Sequence, residues 1–290
     1  MGSRINRYSY TILFALAILV GFLTRFVFIE APNLYYDEQG VLISAKLLLE
    51  EGLSPWDYTN GQPPPLLMWI TSVSFLIFGV SEFSLRIVET FFGTLTIVIV
   101  YFIARLWYGK KVAILASFLL AVSPVHAAYS RLGVNSDIIQ TFFLLFAIFV
   151  IEYCYINGLE GRKELTAVIL SGMLFGLSFL AKFNAMIPWG IYWIFIFLSY
   201  SKNGLRLNMR RFIISNLAAF IIIILSTGLI LSNIFYLAYG FVYLAIAQST
   251  FSANPVYYRS LLLVDALSPI VFLALTASIV YIAVNFHKKR

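Results

Sequence analysis

Charge is what this chain has least of. Charged residues make up 11% of its 290 residues, against roughly 25% in soluble domains, and that scarcity excludes an ordinary water-soluble enzyme. Cysteine is nearly absent. Cys154 is alone and lies in an apolar run, so no internal disulfide can form and no metal cluster is expected. There are two histidines, no P-loop, no G-x-G-x-x-G after a strand and no H-E-x-x-H, so the common nucleotide and zinc-hydrolase signatures are missing. Internal repeats of fixed period and low-complexity linkers are missing too. The first apolar run is followed by no small-residue cleavage site, and it reads as an uncleaved anchor rather than a signal peptide. The net charge of +7 does not point to nucleic acid, because the basic residues are scattered through short loops between apolar runs.

Apolar residues are abundant, at 61%. They are gathered into runs of the length a helix needs to cross the hydrocarbon core, about 20 residues. In lipid every backbone polar group must be satisfied internally, so these runs must be helices, and the pattern lacks the alternation of an outer-membrane barrel. The reading is an all-α polytopic membrane protein, one membrane domain over 1–290. Eight spans are predicted, at about 9–29, 85–106, 112–128, 137–156, 165–181, 185–200, 212–235 and 262–286. The short run 66–79 follows Pro63-Pro64-Pro65 and ends in Gly79-Val80-Ser81-Glu82; it either spans or lies on or re-enters the outer face. Charge bias favours the second choice. With the N-terminus cytoplasmic and 66–79 not crossing, Arg4, Arg7, Arg105, Lys110, Lys111, Arg162, Lys163, Lys202, Arg206, Arg210, Arg211, Lys288, Lys289 and Arg290 face the cytoplasm, as the positive-inside rule expects.

The outer side then carries the segment 30–84, with Glu30, Asp37, Glu38, Glu50, Glu51, Asp57 and Glu82 against Lys46 alone. Two short amphipathic helices are predicted in it, Asp37–Glu51 closed by Gly52 and Leu66–Phe78 after the prolines, which can open a helix but not sit inside one. A second outer segment, Tyr236–Leu261, is rich in Tyr and Phe, residues suited to the membrane interface.

Asp37 and Glu38 stand together at the first turn of the first outer helix. Acids there cap a helix and match its dipole. A carboxylate in the same place can also take the proton from an attacking hydroxyl. Arg86, Arg131 and Lys182 fall at the outer ends of spans, where cations can snorkel; converging, they suit a lipid phosphate. Asp137 opens the fourth span, either as a helix-starting acid beside Asn135 and Ser136 or as a carboxylate facing the cavity opposite Asp37. Glu89, inside a span, reads as structural with Arg86, three residues earlier, as its partner. Arg25 reads as a snorkelling anchor, and His126 as a hydrogen-bonded interior residue.

The ordered set of features resembles one known superfamily. The matching pieces are Asp37-Glu38 after the first span, Pro64-Pro65-Leu66, Phe78-Gly79-x-x-Glu82-Phe83-x-x-Arg86, Leu106-Trp107-Tyr108-Gly109-Lys110-Lys111, Tyr129-Ser130-Arg131 followed by Asp137, and Lys182. Together they resemble the dolichyl-phosphate-mannose protein mannosyltransferases and the bacterial aminoarabinose transferases, membrane glycosyltransferases of the GT-C fold, over about residues 10–200. The resemblance implies an inverting transfer of mannose or another hexose from a polyprenyl-phosphate donor, dolichyl or undecaprenyl, to a protein or lipid acceptor. It places the chain in the plasma membrane of an archaeon or bacterium, with the active site extracytoplasmic. It implies Asp37 as base or acceptor-orienting group with Glu38 assisting, Arg86, Arg131 and Lys182 on the lipid phosphate or holding the loop, and Asp137 as a second site carboxylate; no metal is assigned. The chain departs from the pattern at Pro63, preceded by Gln62, where relatives often carry His or Lys, and at Gly40, where aminoarabinose transferases tend to carry Arg. It also ends at Arg290, earlier than relatives do, which leaves a minimal member, a piece of a longer protein or a partner-dependent subunit open. A non-catalytic subunit and a transporter are the other readings, the latter expected to show mid-membrane polar groups and two related halves.

Overall fold

A computed structural model describes residues 2–30, 34, 36–52, 65–134, 136–200 and 205–227. Among the described residues the chain is all-helical: α1 (Gly2–Phe26), α2 (Tyr36–Glu51), α3 (Pro65–Phe78), α4 (Glu82–Tyr108), α5 (Lys110–Ala121), α6 (Pro124–Tyr129), α7 (Ser136–Ile156), α8 (Gly161–Ala181), a 3-10 turn at Phe183–Ala185, α9 (Met186–Ser199) and α10 (Leu205–Thr227). Five of them contain a stretch long and apolar enough to cross a membrane: Ser9–Phe26 in α1, α4, α7, α8 and Asn208–Leu225 in α10. α3, at 14 residues, is about 21 Å long at 1.5 Å per residue, short of the roughly 30 Å hydrocarbon core. α9 has the same length. The span expected at 262–286 and the aromatic segment Tyr236–Leu261 lie outside the described residues.

The span expected at 112–128 is corrected. It is two helices, α5 and α6, broken at Val122 and Ser123. Pro124 is the cause. It has no N–H for the Leu120 carbonyl, and its ring would collide there. The chain turns, Ser123 caps α6 with Pro124 in the first helical position, and the last carbonyls of α5 are left to other donors. Arg25 supplies them. Its Nη1 donates to the Ala121 carbonyl at 3.0 Å and its Nη2 to the Leu120 carbonyl at 3.1 Å. A cation at a helix C-terminus is favourable. Arg25 is therefore not a snorkelling anchor: it is fully buried. His126 lies inside the same network, with Nδ1 2.8 Å from Arg25 Nη2. Arginine can only donate, so Nδ1 accepts and the imidazole is neutral.

The described helices fall into two compact units, one within 2–186 and 214–227 and the other within 187–213. In the first, the ends of the long helices and the two loop helices share one core: Val41 and Ala45 from α2, Leu66, Leu67 and Phe75 from α3, Leu85 and Val88 from α4, Ile139 from α7, and Leu180 and Ala181 from α8. The loop helices are thus packed elements. Ser72 Oγ of α3 donates to the Ala45 carbonyl of α2, and Ser74 Oγ to the Ser84 carbonyl of α4. α8 and the C-terminal part of α10 touch backbone to backbone, because a Cβ at Gly172 would run into the Ser215 carbonyl; small residues allow such close helix pairs in membranes. In the second unit, Trp193 packs edge-on against Phe212 at 5.3 Å, and Asn208 Nδ2 donates to the Tyr200 carbonyl.

Candidate active site on the outer loop

The loop helix α2 begins with Asp37 and Glu38 in its first turn, and the two neighbouring acids have opposite environments. Asp37 is exposed. Glu38 is fully buried, as is Arg86 on α4. They meet as a bidentate pair, Nε to Oε1 at 2.8 Å and Nη2 to Oε2 at 2.9 Å, the strong geometry for this pair. The Gly133 N–H donates to the same Oε1 at 2.8 Å. Arg86 Nη1 donates to the Ile29 carbonyl beyond the end of α1 at 3.0 Å and reaches Glu82 at 3.5 Å. One guanidinium thereby ties together the exit of α1, the start of α2 and the start of α4. Arg86, expected to partner Glu89, pairs with Glu38 and Glu82; Glu89 is fully buried in α4.

Arg131 lies in the turn between α6 and α7, and its Nη2 donates to the Phe28 carbonyl at 2.6 Å. Phe28 has φ +58, the left-handed region that a bulky residue occupies only under local constraint. Lys182, at the C-cap of α8, meets Asp137, in the first turn of α7, with Nζ at 2.7 and 2.8 Å from the two carboxylate oxygens. Acid at an N-terminus and base at a C-terminus both suit the helix dipoles. Their side chains are 36% and 42% exposed, so this pair stands in water's reach where the Glu38–Arg86 pair does not.

The six residues singled out from sequence are thus sorted by contact. Glu38 with Arg86 forms a buried clamp, Asp137 with Lys182 a half-exposed pair, Arg131 holds the α1 exit, and Asp37 stands exposed beside the clamp. Sequence reasoning missed Gly133 as a participant, two residues after Arg131. A Cβ there would collide with Leu85, so only glycine lets the backbone N–H reach Glu38 past that side chain. Missed as well were the carbonyls of Phe28 and Ile29, which no residue pattern announces. Among the described residues, no group of three or more His, Cys, Asp or Glu side chains is placed to hold a metal ion.

The fold defines the class. The chain has the all-helical GT-C architecture of two solved membrane proteins: the oligosaccharyltransferase of Archaeoglobus fulgidus (TM-score 0.60, 18% identity, 94% of this chain and 40% of that one) and ArnT of Cupriavidus metallidurans bound to undecaprenyl phosphate (TM-score 0.62, 18% identity, 81% of this chain and 44% of that one). The family model for dolichyl-phosphate-mannose-protein mannosyltransferase matches residues 62–231, more than half of the chain, and the chain belongs to that family. An Aquifex aeolicus protein of unassigned function is 30% identical over 172 residues, 57% of this chain and 33% of that protein. YycA, a candidate mannosyltransferase of Bacillus subtilis, is 25% identical over 181 residues, 61% of this chain and 24% of that protein. The chain spans a third or less of the length of these relatives and under half of the solved structures.

Proposed function

We propose that this chain carries the membrane-embedded active site of a glycosyltransferase, which moves a hexose, mannose being the first candidate, from a polyprenyl-phosphate donor to a protein or lipid acceptor at the extracytoplasmic face. The observation that carries the reading is the pairing of an exposed Asp37 with the buried anchor immediately beside it. A base for an acceptor hydroxyl must be accessible and must be held in place. Glu38, fixed by Arg86 and Gly133, holds the first turn of α2 while leaving the Asp37 carboxylate free to face a substrate. Glu38 serves as anchor in this scheme rather than as a second base. Asp137 and Lys182 offer a carboxylate for sugar hydroxyls and an ammonium for the departing phosphate.

The test is transfer of radiolabelled sugar from polyprenyl-phosphate-mannose and polyprenyl-phosphate-glucose, in membranes containing this chain or its Asp37→Asn variant. Label that moves with the native chain and stops with the variant supports the reading and names the donor. A folded native chain that transfers from neither donor overturns it in favour of a partner-dependent, non-catalytic subunit.

A further inference from the structure

Arg131 was expected either on the lipid phosphate or holding the loop, and its contacts distinguish these jobs. The turn it belongs to grips the outer loop at two points. Arg131 Nη2 holds the Phe28 carbonyl at 2.6 Å. Two residues on, the Gly133 N–H holds Glu38 Oε1 at 2.8 Å. The gripped atoms lie on either side of the stretch that leads from the end of α1 into the first turn of α2, and Asp37, in that turn, directly precedes the second grip. The first grip fixes an unusual backbone. Phe28 sits at φ +58 with its side chain 76% exposed, so no packing of its own ring explains the left-handed turn. Left-handed backbone at a non-glycine residue is costly and persists where surroundings over-determine it. The surroundings here are the Arg131 guanidinium on one carbonyl and the Arg86 guanidinium on the next, at Ile29.

We infer that Arg131 is a positioning residue: by holding the Phe28 turn it sets where Asp37 stands, and it does not bind the donor phosphate. The inference rests on the reading of Asp37 as the base. Loss of the guanidinium releases the left-handed turn toward ordinary backbone, and the slack is passed along the chain to the first turn of α2. The second grip, at Glu38, limits the slack but cannot take it up, since it acts on the far side of Asp37.

The experiment uses the full chain in membranes or detergent, with Arg131→Met and Arg131→Lys, and has two arms. In the first, kcat and KM for the polyprenyl-phosphate sugar are separated. The inference expects Arg131→Met to lower kcat by roughly tenfold or more while KM for the donor stays within about twofold, because a misplaced base loses transition-state stabilisation and not uniform binding. Arg131→Lys, which still reaches a carbonyl with one donor, recovers part of kcat. A donor KM that rises with kcat preserved overturns the inference and makes Arg131 a phosphate ligand; kinetics equal to the native chain overturn it as well. The second arm needs no activity. Ala45, fully buried in α2, is changed to Cys in a Cys154→Ser background, and its labelling by a membrane-impermeant maleimide is timed. Looser docking of α2 in Arg131→Met raises the labelling rate severalfold, as local opening does; an unchanged rate overturns the inference. Should the native chain transfer nothing, the functional reading falls and this second arm still decides whether Arg131 holds the loop. Arg131→Lys replaces Arg131→Met in both arms if the latter is not monodisperse.

Discussion

Two ion pairs stand at helix ends with nearly the same distances, and they are different devices. Glu38 and Arg86 meet at 2.8 and 2.9 Å with both side chains fully buried. Asp137 and Lys182 meet at 2.7 and 2.8 Å with more than a third of each side chain exposed. Distance does not separate them; what surrounds each does. The buried carboxylate also takes a backbone N–H, and the buried guanidinium also takes a backbone carbonyl, so the charges are enclosed by further hydrogen bonds. Removing one partner of such a pair strands a charge away from water. The exposed pair has water as an alternative partner for both members, and pairs of that kind contribute little net stability. A charge that has an alternative can change partners when a substrate arrives. One pair is therefore enclosed scaffold and the other is open to water, and Asp37, one residue from the scaffold, stands exposed with the open pair.

This contrast can be broken at several points, the largest effect first. Asp37→Asn is expected to lower sugar transfer by about 10²–10⁴-fold, the range for loss of a general base, while thermal unfolding in detergent stays that of the native protein; an equal loss of stability would move Asp37 to the scaffold side. Arg86→Met is expected to destabilise the folded chain by about 3–5 kcal/mol, the cost of leaving a buried charge unpaired, and Glu38→Gln by less, since it keeps the shape and two acceptor or donor atoms. Restoring an apolar pair at both positions should recover part of the loss, and denaturation curves of the single and double variants measure it. Gly133→Ala is expected to cost about 1–3 kcal/mol by overpacking against Leu85, and to loosen α2 without altering any charge. Lys182→Met or Asp137→Asn is expected to change stability by no more than about 1 kcal/mol. Exchanging the two residues, Asp137→Lys with Lys182→Asp, should fold, whereas exchanging Glu38 and Arg86 should not; expression as a monodisperse species reads the difference.

Much of the fold was legible in the sequence, for a physical reason. A helix in lipid needs a long apolar run, and α4, α7 and α8 are such runs. The loop helices were legible through Gly52 and the prolines before Leu66, which mark where helices stop and start. What stayed hidden depends on contacts between distant residues. Arg25 looked like an interface anchor because its partners, the carbonyls of Leu120 and Ala121, lie 95 and 96 residues away and are made available by a break the apolar pattern of 112–128 conceals. Pro124 was the available signal for that break. In the site, Glu38 and Arg86 were both singled out, but no spacing rule joins residues 48 apart. Which of two adjacent acids would be buried was equally hidden, because Asp37 and Glu38 differ only in which way their side chains leave the helix.

The burial of Arg25 has a consequence in time. α1 leaves the ribosome with a guanidinium in its last turn, and the carbonyls that will hold it are made only when Leu120 and Ala121 follow. At synthesis rates of about 5–20 residues per second, the 96 residues between Arg25 and Ala121 correspond to roughly 5–20 s. Through that interval the Arg25 guanidinium has the Gly21 carbonyl of its own helix but not the two carbonyls of α5. The contacts that bury Arg25 therefore cannot form until α5 has been made.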